Sequence, residues 1–292
     1  MILEISHHTA YRYAEAVSFS PHYIRLRPRE DAFARLHRFE MTLRPDVVIH
    51  WIRDPFDCHQ ARVFFPDLTH ELTIRISMIV ENIARNPFDF LLENHAATFP
   101  FSYTEEETAA LQPWLRPRVP DPENQLERWL AERIPPKGES SIGFVFELNK
   151  TVRDSFDYQS RDRHGVQSPR ETLARGIGTC RDFAWLLAES CRTLGLAARL
   201  AGGYLHVPKH ESIESDHLED SLHAWTEVYL PGGGWIAVDP TNGIFCDEHY
   251  ITTATGPAPE NISAVHGNYY HPTPVESHLH SELSIVECTE IP

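Results

Sequence analysis

Residues 72–78 alternate in a way that only a half-buried strand explains: Leu72, Ile74, Ile76 and Met78 fall on one face, Thr73, Arg75 and Ser77 on the other. The segment closes a series of similar runs, "LEISHHTAYRY", "HYIRLRP", "HRFEMTLRP", "VVIHWIRD" and "ARVFFPD", separated by Pro, Asp and Asn turn signals. Short strands at this spacing predict a small antiparallel sandwich over residues 1–97. After Asn86 the pattern breaks. Proline punctuates the next stretch, which reads as a connector over 98–122 with one helical turn at "TEEETAAL". Helical signals follow: Asp121 as N-cap with Pro122 at the first position, then Leu126, Trp129, Leu130 and Ile134 as an apolar stripe. Ser168, Pro169 and Glu171 form a capping-box signature for a second helix. A third begins at Cys180, with Phe183, Leu187, Cys191 and Leu194 on one face and Gly195 as its stop. Strand-like runs then return in "AARLAGGYL", "HAWTEVYLP" and "GWIAVDPT", the last two joined by Gly232-Gly233-Gly234 as a hairpin. The expected class is α+β: a β-domain first, then a helix-then-sheet unit over 123–262, then an extension over 263–292 with "SELSIVECTEI" as a closing strand.

Charge narrows the partners. Twenty-six basic against 42 acidic side chains leave a formal net charge of −16, which disfavours a nucleic-acid backbone. No run approaches the roughly 18 apolar residues of a membrane span, and "MILEISHHTAYRYAEAV" lacks the pattern of a signal peptide. Five cysteines, an odd number without a CxxC pair, argue against a disulfide framework. The expectation is a cytoplasmic protein whose partner is a peptide or protein, with neither nucleic acid nor membrane.

The chemistry concentrates around Cys180. A thiol at a helix N-terminus ionises more readily, because unpaired N–H groups and the macrodipole favour negative charge. Cys191 lies about 16 Å further along the same helix, on its apolar stripe, and reads as core. A nucleophilic cysteine needs a base, and the base needs an orienting partner. The hairpin offers both: His223 starts one strand and Asp239 ends the next, so the two ends are expected to face each other across the ladder. The residues alone leave two readings open, a catalytic trio of Cys180, His223 and Asp239, or a structural thiol near an unrelated His and Asp.

At this point the sequence resembles a known family. "GIGTCRDFAWLLAESCRTLGLAARLAGGYL" followed by "SLHAWTEVYLPGGGWIAVDPTNG" is similar to the transglutaminase-like core, and "YRYAEAVSFSPHYIRLRPR" to the opening of the N-terminal β-domain in its bacterial branch. The resemblance implies a papain-like core at 123–262, with Cys180 as nucleophile, His223 as base and Asp239 as the residue that orients it. It implies attack of a thiolate on an amide to give a thioester, resolved by water in a hydrolase or by an amine in a transglutaminase. No cofactor and no metal are expected. Two departures stand out. Arg181 follows the nucleophile where the branch often has Gln, with Asp182 retained, and His266-Gly267-Asn268-Tyr269-Tyr270 replaces a Gly-Arg-Asp-Tyr pattern. Arg181 either lowers the thiol pKa, binds an acidic group of the substrate, or simply faces solvent.

Weaker features remain. His271, His278 and His280 lack convincing ligand spacing and read as a solvated loop. Trp225 shares a face with His223, either shielding the site or packing in the core. Tyr158 is a possible oxyanion donor, and the acidic stretch 206–221 reads as a lid or a plain exposed connection. The reading is a cysteine amidase or protease acting on a peptide or isopeptide bond. A transglutaminase is the runner-up, and a binding module with a vestigial site is the alternative outside enzymes.

Overall fold

The computed structural model describes residues 1–84, 86–134, 140–161, 165–208 and 220–291. Six strands open the chain: β1 (Ile2–Phe19), β2 (His22–Ile24), β3 (Ala34–Arg44), β4 (Ile49–Arg53), β5 (His59–Val63) and β6 (Thr69–Asn82). They form two antiparallel layers, one built on β1, β6 and β3 and the other on β2, β5 and β4. The alternation of β6 works as the sequence predicts. Leu72, Ile74, Ile76 and Met78 are buried between the layers with Leu3, Ile5, Ile24, Ala61 and Val63, whereas Arg75 is exposed.

Beyond Asn82 the chain crosses to a second unit. Phe90 and Leu92 pack against its core, and the Glu93 N–H donates to Pro231 O at 2.9 Å. The single turn expected at "TEEETAAL" is a full helix, α1 (Glu105–Leu115). Its start is fixed by the reciprocal bonds of Thr104 and Glu107, and it continues through Pro113. Helix α2 (Gln125–Arg133) begins later than expected, with Asn124 in a left-handed conformation as its N-cap. Asp121 still caps it from upstream, accepting the Gln125 and Leu126 N–H groups at 2.9 and 2.8 Å. Helix α3 (Ser141–Ser155) was not foreseen, although Ser140 caps it through the Gly143 N–H and Phe144, Val145, Leu148 and Val152 form its buried stripe.

The rest of this unit follows in order: β7 (Asp157–Tyr158), α4 (Pro169–Arg175), β8 (Ile177–Gly178), α5 (Cys180–Thr193), β9 (Ala198–Leu205), β10 (Ser221–Leu230), β11 (Gly234–Asp239), β12 (Ile244–Phe245) and β13 (Tyr250–Gly256). A five-stranded sheet of order β12-β11-β10-β9-β13 forms, and α5 lies on one face of it. Phe183, Ala184, Leu187 and Cys191 of α5 meet Leu200, Ala224, Val228 and Val238 there. On the far side of α5, Glu189 accepts the Arg118 and Val119 N–H groups at 2.8 and 3.0 Å while paired with Arg192. Arg192 in turn donates to Ala198 O. A buried, hydrogen-bonded ion pair thus ties connector, helix and sheet together.

The C-terminal segment returns to the first unit. After α6 (Pro259–Ile262), β14 (Val265–His266) extends the β2 layer and β15 (Tyr269–Tyr270) pairs with the end of β1. The closing strand, β16 (Ser277–Cys288), runs antiparallel to β1 from Tyr13↔Ser277 to Ile2↔Cys288. The two units also share a core, because Tyr204 of β9 and Ile251 of β13 are buried among the sandwich residues. Asn82 Nδ2 donates to Glu248 O and Tyr250 O at 2.8 and 3.3 Å, and the Arg29 N–H to Thr252 O at 2.8 Å.

Candidate active site

Cys180 is the first residue of α5, and the turn before it is tightly built. Gly176 ends α4 with φ +71°, a conformation that favours glycine, and its N–H closes the helix on Thr172 O at 3.0 Å. The next residues pair in parallel with β7: the Asp157 N–H reaches Gly176 O at 3.0 Å and the Gln159 N–H reaches Gly178 O at 2.9 Å. A methyl group on Gly178 would lie 2.8 Å from Phe183 Cε1 and 3.1 Å from Asp182 Cβ. Gly178→Ala is therefore expected to displace the start of α5, costing about 1–3 kcal/mol. Thermal denaturation would show the loss and alkylation kinetics a slower Cys180; unchanged values of both would mean that the turn absorbs the methyl freely.

Asp182 holds the mouth of the helix. It is fully buried and accepts the Thr179 N–H at 2.8 Å, the Gln167 N–H at 2.6 Å and the Gln167 side-chain amide at 3.0 Å. Arg161 completes the set with two bonds of 3.1 Å. Burial pushes the Asp182 carboxyl pKa up, but the Gln167 and Thr179 donors and Arg161 outweigh it and hold the group below its ordinary value.

The hairpin brings the other two residues to this point. Thr226 pairs with Val238, so His223 and Asp239 are not directly opposite as expected but diagonal on one face of the ladder. The imidazole is long enough to span the diagonal, and His223 Nε2 meets Asp239 Oδ2 at 2.8 Å. Asp239 is fully buried and also accepts the Tyr250 hydroxyl at 2.7 Å, the Asn242 amide at 2.7 Å and the Thr241 N–H at 2.8 Å. With Nε2 committed to the carboxylate, Nδ1 is the ring nitrogen left for the thiol, and Cys180 lies within hydrogen-bonding reach of His223 and of the Ala224 N–H.

Electrostatics follow from that arrangement. Burial opposes ionisation of Cys180, but the His223 charge and hydrogen bond, the Arg181 charge and the Ala224 N–H together hold its pKa below the ordinary thiol value. Burial likewise opposes the charged form of His223, yet Asp239 and Cys180 hold its pKa well above the usual value. Asp239 is kept below the carboxylate range against its burial by His223, Tyr250 and the Thr241 N–H. Cys191 shows the contrast: burial, only partly offset by the Arg192 charge, pushes its thiol up to about 12, and it is core as expected.

The neighbours sort as follows. Trp225 is buried against Tyr250, ring centroids 5.3 Å apart, and so packs beneath the His223–Asp239 pair without facing the cleft. Tyr158, half exposed, is set beside Cys180 by the β7–β8 pairing and rests edge-on against Phe183. Residues 209–219 of the acidic stretch expected beside the cleft lie outside the described residues. His271, His278 and His280 stand beside separate glutamates, Glu15, Glu276 and Glu282. Among the described residues no cluster of three or more His, Cys, Asp or Glu could hold a metal ion. Nor, among them, is any helix long and apolar enough to cross a membrane. Sequence reasoning missed Tyr250, Asn242, Gln167 and Arg161. The "DPTNG" turn carried a signal for Asn242, since Asp and Asn at such spacing bond locally; Tyr250 reaches Asp239 from another strand and had none.

Comparison with known proteins agrees with this architecture. Residues 3–81 match the bacterial transglutaminase-like N-terminal region, and residues 128–240 the core of the transglutaminase-like superfamily. An uncharacterized protein of Mycobacterium leprae is 25% identical over 278 residues, 91% of this chain and 92% of that one. An uncharacterized protein of Mycobacterium tuberculosis is 25% identical over 280 residues, 91% of this chain and 87% of its own. The crystal structure of a candidate cysteine protease from Cytophaga hutchinsonii has the same fold, with a TM-score of 0.73 at 18% identity, covering 100% of this chain and 93% of that one. By these matches the chain carries a bacterial transglutaminase-like N-terminal region followed by a core of the transglutaminase-like superfamily.

Proposed function

We propose that the chain is a thiol hydrolase of a peptide or isopeptide amide bond, with Cys180 as nucleophile, His223 as base and acid, and Asp239 orienting His223. One observation carries this reading: a partly exposed thiol at a helix start lies within reach of an imidazole whose other nitrogen is held by a buried carboxylate. The thiolate adds to the amide carbonyl, and the unpaired N–H groups of the first α5 turn, with the Tyr158 hydroxyl nearby, are the donors available to the oxyanion. Protonated His223 gives its proton to the leaving amine as the C–N bond breaks, leaving a thioester. Neutral His223 then takes a proton from water, whose oxygen displaces the thiolate and releases the acid. An amine in place of water makes the same steps a transglutaminase reaction.

The test is a panel of peptide and isopeptide amides, incubated with and without an added primary amine and read by product mass. Turnover by the wild type and none by Cys180→Ser supports the reading. Amine-containing products in preference to acids would make transfer the activity, and undiminished turnover by Cys180→Ser would overturn the role of Cys180.

The pKa directions add a pH signature. A thiolate–imidazolium pair exists between the lowered Cys180 value and the raised His223 value, so kcat/KM is expected to be bell-shaped. The acid limb should lie below the ordinary thiol pKa of about 8.5 and the basic limb above the ordinary imidazole pKa of about 6.5. Both limbs belong to the coupled pair, not to either residue alone. A single acid limb near pH 8.5 would show that no such pair forms.

A further inference from the structure

Arg181 is the second residue of α5 and is partly exposed. Arg161, which braces the same helix start, is committed to Asp182, as elsewhere Arg192 is to Glu189 and Arg199 to Glu227. Among the described residues the Arg181 side chain has no hydrogen bond and no ion pair. It is nevertheless close enough for its charge to bear on both the Cys180 thiol and the Tyr158 phenol, which flank the cleft. A partly exposed guanidinium that meets no carboxylate among the described residues, next in the chain to Cys180, is a fork-shaped donor suited to a planar anion.

We propose that Arg181 is a specificity-determining residue and that the acyl donor carries a carboxylate next to the scissile amide. This rests on the hydrolase reading of Cys180. The overall field of the chain, at a formal charge of −16, repels an anion approaching most of its surface. Arg181 and the N-terminal end of α5 reverse that sign locally, so a carboxylate is accepted at this one place and in one orientation. The substrate class is therefore an acidic peptide, with Glu, Asp or a free carboxylate on the acyl side of the bond.

A cation in this position also lowers the thiol pKa, so the test must separate recognition from activation. Iodoacetate and iodoacetamide do so. In both, the thiolate forms a C–S bond to the methylene carbon as iodide leaves; only the neighbouring carboxylate or amide differs. The ratio of the two rates is independent of how much thiolate is present, and mass mapping of the labelled peptide confines it to Cys180. The expected result is a ratio of iodoacetate to iodoacetamide rates about fivefold higher in the wild type than in Arg181→Gln, with Arg181→Lys between them. High salt should shrink the difference. Equal ratios in the wild type and Arg181→Gln would overturn the assignment while leaving Cys180 reactive. Failure of Cys180 to label with either reagent would instead remove the hydrolase reading on which it rests.

Discussion

Replacing His223 with alanine is expected to lower amide turnover by about 10³–10⁴-fold and to move the alkylation pKa of Cys180 upward past the ordinary thiol value. The two effects have one cause. His223 supplies both the charge and a hydrogen bond that offset the burial of the thiol, and without it burial dominates. At neutral pH the thiolate fraction then falls, so alkylation slows even though no step of that reaction needs a general acid. Cys180→Ser should abolish turnover, and the double variant should be no worse than the more damaging single one, because residues that act as a unit are not additive. Measuring kcat for the amide and the pH dependence of Cys180 alkylation on the same preparations checks both. An alkylation profile in His223→Ala that overlays the wild type would break the proposed pair.

Asp182→Ala is expected to be the most damaging substitution for stability near the site, at about 3–5 kcal/mol. The carboxylate receives bonds from Thr179, Gln167 and Arg161, and its removal leaves their donors without a partner in a buried setting. For a chain of this size the loss corresponds to a fall in Tm of about 10 °C. The folded-state pKa of Asp182 lies below its unfolded value. Its contribution is therefore complete above the ordinary carboxylate pKa and is lost as pH falls through the lowered folded value. The gap between wild type and variant should narrow in acid. Thermal denaturation from pH 7 downward measures it, and a Tm within about 2 °C of wild type at pH 7 would show that the network is dispensable.

Much of the site was readable because its parts are local. The Ser168 capping box and the start of α5 at Cys180 depend on residues within one helical turn, and each stands where the sequence predicts. The β10–β11 hairpin is also local, since a glycine turn joins its strands. Its register was not. The diagonal placement of His223 and Asp239 follows from Leu230 pairing with Gly234, a one-step choice of turn geometry that shifts every later pair. Helix α3 carries a cap and an apolar stripe too, but they lie between the more conspicuous proline-rich and cysteine-bearing segments.

The sequence by itself determined the strand and helix periods, the position of Cys180 at a helix start, and the chain order of Cys180, His223 and Asp239. Tertiary structure alone decided that Tyr250 would seat Asp239, that Arg161 and Gln167 would brace Asp182, and that the Arg181 side chain would meet no carboxylate among the described residues. It also decided that β16 would lie along β1, more than 260 residues away. The reason is physical. Caps, turns and alternation are satisfied by neighbours in the chain, so the residues state them directly. A partner for a buried carboxylate or an open strand edge is instead set by which surfaces fold together, and no short stretch of sequence records that meeting.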